Sequence, residues 1–292
     1  MQSNKAAARR RLQRNKGAAA TVCRSSRRVI ASSSSKKMKQ YNLPNNLTVI
    51  QFRALSDNYG YLVHKGEHTA AIDTPDASLI HSILAHYGFQ LTHILNTHHH
   101  ADHAGGNANL LSLYPDCEVV GPANERIPCI TTPAGENDVV FNSLATVYDT
   151  PGHTSGHIVY HFADSGALFC GDTLFAMGCG RLFEGTPAQM WSSLRKLKAL
   201  PDDTLVFCAH EYTLANAKFA VTADVKNENL AERYQLVQKQ REKDEWTVPT
   251  TIRLEKSTNP FMRADEPSLQ AHFNTTDPVE TFAKVRHAKD VF

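Results

Sequence analysis

From Leu47 onward the chain is written in short apolar runs separated by polar clusters, and the spacing within each run predicts its element. Leu47 to Phe52, Tyr59 to His64 and Thr69 to Ile72 read as β-strands, with Asp73-Thr74-Pro75 as the turn after the third. Leu79, Ile80, Ile83 and Leu84 recur at helical spacing, so Leu79 to Tyr87 is expected to be a helix packed on a sheet. The alternation continues with a strand at Thr92 to Leu95, a helix near Asn107 to Tyr114, and strands at Glu118 to Gly121, Leu144 to Asp149, His157 to Phe162 and Ala167 to Cys170. A helix from Pro187 to Ala199 leads into a last strand, Leu205 to Cys208. Past Tyr212 the texture changes to helix formers at helical spacing, over Leu214 to Val221, Glu228 to Lys243 and Pro278 to Lys289, broken by a Pro- and Thr-containing segment at Val248 to Thr258. This is an α/β pattern: a β-rich domain over 40–212, then a smaller helical domain over 213–292.

Composition changes the picture at the N-terminus. The net charge of +2 hides two electrostatic regions. Nine of the 31 Lys and Arg lie within residues 1–31, leaving 22 against 29 acidic residues, a balance of −7; the first acidic residue is Asp57. An Arg- and Ser-rich, acid-free leader (1–39 with its serine run) has the character of a transit peptide for a mitochondrion or plastid. If it does not function so, the cytoplasm is the remaining expectation. A nucleic-acid arm fits less well, because no aromatic residue is interleaved with the charges. No apolar stretch reaches the length of about 18 residues that a membrane helix needs. The six cysteines form no CxxC pair and no framework, whereas 15 histidines cluster.

Four polar blocks end predicted strands, where layered α/β proteins place their sites. The first is Thr97-His98-His99-His100-Ala101-Asp102-His103. In an irregular loop, His98 and His100 can converge on one ion while Asp102 and His103 turn toward a second; imidazoles with a carboxylate suit borderline ions. A surface histidine cluster is the plain alternative for three His in a row, but it does not account for Asp102 and His103 directly after a strand. The others are Thr150-Pro151-Gly152-His153-Thr154, Cys170-Gly171-Asp172-Thr173 and Cys208-Ala209-His210-Glu211-Tyr212. Each of these alone is more often structural. Together with the first block they supply five His and two Asp, enough for two ions with open positions.

The block THHHADH resembles the THxHxDH signature of the metallo-β-lactamase superfamily, and the later His, Asp and His follow in its order. Gly171-Asp172-Thr173-Leu174-Phe175, Gly178-Cys179-Gly180-Arg181-Leu182-Phe183-Glu184-Gly185-Thr186 and Ala209-His210-Glu211-Tyr212-Thr213 resemble the glyoxalase II family specifically, as do Asp57-Asn58-Tyr59 and Asn259-Pro260-Phe261-Met262-Arg263. The resemblance spans residue 47 to the C-terminus. It implies an αββα sandwich followed by a small helical domain, and a thioesterase that hydrolyses S-(2-hydroxyacyl)glutathione to glutathione and a 2-hydroxy acid. For S-D-lactoylglutathione, that is the second step of methylglyoxal detoxification. Carried over by position, it implies one metal on His98, His100 and His153, another on Asp102, His103 and His210, and Asp172 bridging both. It also implies glutathione contacts from Arg181, Phe183, Tyr212, Arg286 and Lys289. Some relatives carry Lys where this chain has Arg181 and Tyr where it has Phe183, and a Phe donates no phenolic hydrogen bond.

The expected cofactors are two divalent ions per chain, zinc with iron or manganese as alternatives, whose shared water becomes a hydroxide near neutral pH. The leaving thiolate has a pKa near ~8.5 and needs little help from a general acid, so the chain's cysteines are not required as nucleophiles. The expected partner is a small-molecule glutathione thioester, with no nucleic acid and no membrane, and the expected assembly is a monomer. A persulfide dioxygenase of the same superfamily is the competing reading; it uses one iron on three ligands, departs from this chain after Arg181 and lacks the helical domain ending in Arg286 and Lys289. A structural metal protein or a nucleic-acid binder is the non-enzyme alternative, but structural zinc sites are closed and rich in cysteine.

Overall fold

The protein is described by a computed structural model over residues 38–292. The transit-peptide expectation lies outside the described residues, except that Met38 and Lys39, assigned above to the leader, begin the first strand. That strand, β1 (Met38–Leu43), was not foreseen because it is a polar edge strand with no apolar run; it pairs antiparallel with β2. The first sheet then runs in chain order through β2 (Leu47–Ala54), β3 (Asn58–Lys65), β4 (His68–Ile72), β5 (His93–Leu95), β6 (Glu118–Pro122) and β7 (Thr132–Ala134). It is antiparallel as far as β4 and parallel from β4 to β7. Helix α1 (Ala77–Tyr87) makes the crossover from β4 to β5. Asp76 caps its start by accepting from the Leu79 N–H at 3.0 Å, and Gly88 ends it at φ 69°. The short α2 (Ala101–Ala104) and then α3 (Asn107–Leu113) connect β5 to β6.

Strand alternation sorts the side chains of β2 onto two faces. Leu47 and Val49 enter a core shared with the second sheet, while Ile50 and Phe52 pack against Ile80, Ile83 and Leu84 of α1. Both faces are covered, which is why these strands read as nearly continuous apolar runs. The second sheet has the order β15 (Thr250–Thr251), β14 (Leu205–Cys208), β11 (Ala167–Gly171), β10 (Ile158–Phe162), β9 (Ala145–Asp149) and β8 (Val139–Val140). Tyr61 of the first sheet lies edge-on to both Phe169 and Phe207 of the second, at 5.4 and 5.5 Å, and the Tyr160 hydroxyl donates across the interface to the Asn96 carbonyl at 2.7 Å. Burying an aromatic ring of this kind stabilises by roughly 1.5–3 kcal/mol. With helices on the outer side of the first sheet and α4 (Pro187–Lys198) packed into the shared core, the layering expected of the αββα sandwich is present.

Between β11 and β14 the chain forms a hairpin of β12 (Leu174–Phe175) and β13 (Gly178–Cys179) and then α4, whose start is a reciprocal capping box of Thr186 and Gln189. The C-terminal helices are α5 (Thr213–Ala223), α6 (Glu228–Glu242), α7 (Ile252–Thr258), α8 (Pro267–His272) and α9 (Pro278–Asp290). Two features tie them to the sandwich. The segment expected to be irregular returns as β15, pairing Thr250 with Val206, and runs directly into α7. Within the family-like motif at 259–263, the Asn259 side chain donates to the carbonyls of Phe175 and Gly178 at 3.1 and 2.9 Å, bracing the β12–β13 hairpin. Phe261, Phe282 and Val285 belong to the same buried cluster as Phe169 and Phe207, so the hydrophobic core runs unbroken into the helices.

Candidate metal centre

The four polar blocks meet where β5, β9, β11 and β14 end. His98 and His100 follow β5, Asp102 and His103 ride on α2, His153 follows β9, Asp172 follows β11 and His210 follows β14. The loop expected around Asp102 and His103 is therefore a helical turn, with His100 at its N-cap. His100 Nδ1 lies 3.0 Å from His98 Nε2 and 3.1 Å from His153 Nε2. Opposite them, His103 Nε2 and His210 Nε2 lie 3.4 and 3.5 Å from Asp102 Oδ2. Asp172 stands between, with Oδ2 3.4 Å from His153 Nε2 and Oδ1 3.4 Å from both His103 and His210.

In four of the five rings the outer nitrogen explains why the inner one converges. The His153 Nδ1–H donates to the Arg181 carbonyl, and those of His103 and His210 donate to Asp73 and Asp57, all at 2.8 Å. The Thr97 hydroxyl donates to Asp73, so it accepts from His98 Nδ1 at 3.1 Å. In the neutral tautomers those bonds dictate, four Nε2 lone pairs point inward. His103 Nε2 and Asp172 Oδ1 are buried and have no hydrogen-bond partner. Buried polar atoms rarely stay unpaired, and a set of five imidazoles and two carboxylates fits divalent ions in two pockets that share Asp172.

The electrostatics of the two pockets differ. Burial, followed by the neighbouring imidazoles, holds His98 well below the usual imidazole range, and burial lowers His100 and His153 as well. At His103 burial pulls the same way, but Asp172, Asp73 and Asp102 outweigh it and lift the group well above that range. His210 is raised by Asp172 and Asp57 against burial. Asp102 is lowered chiefly by the His103 ring beside it; Asp172 is lowered by His103, His210 and His153 although burial opposes it. The His-only pocket thus presents free lone pairs, whereas a cation entering the other competes with protons.

The residues expected to contact substrate are placed differently from one another. Phe183 is 60% exposed, with its ring edge-on to His100 and His153 at 5.7 and 5.2 Å. Tyr212 stacks on His210 at 4.7 Å and 6°, and burial, with nearby carboxylates adding, pushes its hydroxyl up to about 12. Arg181 is exposed and 3.3 Å from Asp290. Arg286 and Lys289, three apart on α9 and expected to reach glutathione from one face, sit at different depths. Arg286 is buried: it donates to the Cys179 carbonyl at 3.1 Å and to Asp290 at 2.9 Å, over the Phe261 ring. Lys289 reaches the Ala215 carbonyl at 3.1 Å between Phe219 and Phe292. The backbone packs closely here too. A Cβ on Gly180 would fall 2.0 Å from the Asp172 carbonyl oxygen and 3.0 Å from His153 Nδ1, so only glycine fits.

Three residues were missed. Asp73, read as a turn residue, anchors both His103 and Thr97; its position at the end of a parallel strand was the available signal. His157, read as the start of a strand, is fully buried and accepts the Asp172 N–H on Nε2 at 3.1 Å, while Nδ1 faces the hydroxyls of Thr150 and Thr173. Glu125 lies in a loop without any sequence pattern. Asp57 and Asn58, noted only as family-like, hold His210 and Asp102.

Comparison with known proteins agrees with this geometry. A family model described as metallo-beta-lactamase superfamily matches residues 87–210, and one described as hydroxyacylglutathione hydrolase C-terminus matches 211–292. A hydroxyacylglutathione hydrolase of Maricaulis maris is 48% identical over 256 residues, covering 85% of this chain and 100% of its own. Among solved structures, ETHE1 from Myxococcus xanthus superposes with a TM-score of 0.60 at 24% identity over 86% of this chain and 89% of its own, a likeness of fold. TTHA1623, solved in a di-iron-bound form, gives 0.52 at 26% identity over 70% and 94%. With near-half identity along the full length of such a relative and a matching C-terminal family model, the chain belongs to the hydroxyacylglutathione hydrolase (glyoxalase II) family of the metallo-β-lactamase superfamily.

Proposed function

We propose that this chain hydrolyses S-(2-hydroxyacyl)glutathione thioesters, S-D-lactoylglutathione among them, to glutathione and a 2-hydroxy acid, the second step of methylglyoxal detoxification. The observation that carries the reading is the pair of three-donor pockets joined by the two oxygens of Asp172. His98, His100 and His153 would hold one divalent ion, Asp102, His103 and His210 the other, with Asp172 between them. The di-iron form of TTHA1623 supports a two-metal centre on this fold. Zinc, iron and manganese all suit the donor set. Divalent ions, when bound, bring the pKa of water toward neutrality and polarise the thioester carbonyl.

The chain's own residues do the rest. Asp73 and Asp57 fix the tautomers of His103 and His210, so that both present Nε2 to the ions. Phe183 sets an apolar edge beside His100 and His153 at the rim of the His-only pocket. Glutathione is anionic, and Arg181, which follows Gly180 at the centre, with Lys289 of α9 would supply positive charge for it; Arg286 holds the β12–β13 hairpin from which Arg181 extends. The thiolate departs without a dedicated acid. The test is hydrolysis of S-D-lactoylglutathione by protein of known metal content, read as free thiol released. Thiol release requiring two ions per chain supports the reading. Oxygen uptake with glutathione persulfide and one bound iron would replace it with the dioxygenase.

A further inference from the structure

The His-only pocket is assembled from two stretches of chain far apart in sequence. His98 and His100 follow β5 and His153 follows β9, and these strands lie in different sheets. Their separation must be set by something that touches both. One carboxylate does. Glu125, in the loop between β6 and β7, has a side chain only 2% exposed. Its Oε2 accepts the N–H of His99, the residue between His98 and His100, at 2.7 Å, and lies 3.0 Å from His99 Nδ1. Its Oε1 accepts the Gly156 N–H at 3.0 Å and the hydroxyl of Thr154, the neighbour of His153. Gly156 is shaped for this contact, since a Cβ there would fall 2.5 Å from Glu125 Cγ.

A second acidic residue repeats the link from outside. Glu184 accepts the Ser155 N–H at 2.7 Å and lies 3.4 Å from His99 Nε2. The other pocket leans on different groups, Asp73 and Asn58 for α2 and Asp57 for His210, none of which touches Glu125; Asp73 also reaches His98 through the Thr97 hydroxyl but makes no link to the His153 loop. Four donors on two oxygens satisfy the buried carboxylate, so its charge is stabilised where it stands.

We propose that Glu125 is the positioning residue of the His-only pocket: it fixes the distance of His98 and His100 from His153 and so sets that pocket's affinity for a divalent ion independently of its neighbour. The inference rests on the two-metal reading above. Outer-shell partners of metal ligands typically govern roughly 10- to 100-fold of affinity. Glu125→Gln keeps the volume but offers an N–H where one loop needs an acceptor, so one of the two links is lost.

The experiment titrates the full chain, stripped of metal, with Zn²⁺ by calorimetry. His153→Ala and Asp102→Ala identify which binding event belongs to which pocket. Glu125→Gln should weaken the His153-dependent event roughly 10- to 100-fold and leave the Asp102-dependent event within about threefold. Thermal unfolding of the metal-free forms, run alongside, should fall by only a few degrees, since one of the two links is kept. If both events weaken together, or neither does, the assignment is wrong; equal weakening with a larger fall in midpoint would make Glu125 merely structural. A third zinc bound at His99, Glu125 and Glu184 in the unsubstituted chain, and lost in Glu125→Gln, would also overturn it. Fewer than two ions on the unsubstituted chain would fail the two-metal reading itself, before any variant is compared.

Discussion

Arg286→Ala should destabilise the protein as well as weaken substrate binding, because the side chain is a buried brace. The guanidinium makes one hydrogen bond to the Cys179 carbonyl at 3.1 Å and one to the Asp290 carboxylate at 2.9 Å, with the Phe261 ring beneath it. Hydrogen bonds involving a charged group contribute about 1.5–3 kcal/mol, and the ring contact adds roughly 0.5–1 kcal/mol. Asp290 is partly exposed and recovers some of its loss through water and through Arg181, so the whole truncation should cost about 2–4 kcal/mol. For a chain of this size that is a fall in midpoint of roughly 5–15 °C. The freed Cys179 carbonyl lies two residues before Arg181, whose own carbonyl orients His153, so KM should rise and kcat should fall modestly. Lys289→Ala is the control: its exposed hydrogen bond and its contacts with the Phe219 and Phe292 rings are together worth about 1–2 kcal/mol, so its midpoint should fall less than that of Arg286→Ala. The assay is thermal unfolding of both variants by circular dichroism, with steady-state kinetics at low and high salt. An unchanged midpoint for Arg286→Ala, with KM alone affected, would refute the bracing argument.

Three further outcomes are expected. Asp172→Asn keeps the shape but removes the shared charge, so elemental analysis should find less than one ion per chain and thiol release should be lost; two ions at normal turnover would remove Asp172 from the bridge. Burial pushes the thiols of Cys117, Cys179 and Cys208 up to about 12, 11 and 12, so at pH 8 almost none is thiolate, and iodoacetamide should modify Cys129 alone among the described residues without loss of activity. Fused to a fluorescent reporter, residues 1–37 should direct it to a mitochondrion or plastid, and a reporter that stays cytosolic would remove the targeting assignment.

The convergence of the inner His and Asp side chains was legible because metal chemistry restricts residue type and because each block closes a strand: Leu95 leads to the His98 block, Asp149 to His153, Cys170 to Asp172 and Cys208 to His210. The outer shell was not legible. Asp73 looks like any turn aspartate and Glu125 like any loop glutamate, since what distinguishes them is a hydrogen bond to a residue distant in the chain. β1 escaped for a related reason: an edge strand is specified by its partner, here Gln51 accepting from the Tyr41 hydroxyl at 2.8 Å, rather than by its own hydrophobicity. Helical spacing put Arg286 and Lys289 on neighbouring positions, yet spacing carries no information about depth, and one side chain proved buried.

The contact at Gly180 limits how such a site diversifies. There the backbone that presents Arg181 and Phe183 lies directly against the backbone of Asp172 and the ring of His153, with no room for even a methyl group between them. On the proposed reading, recognition and chemistry share one wall. Insertions or swaps at residues 178–181 would displace Asp172 and His153, so a lineage exploring new acyl donors has little freedom in that segment. Variation is cheaper at side-chain tips that project away from the wall, such as Phe183, where a single substitution changes the rim of the pocket and leaves its back intact.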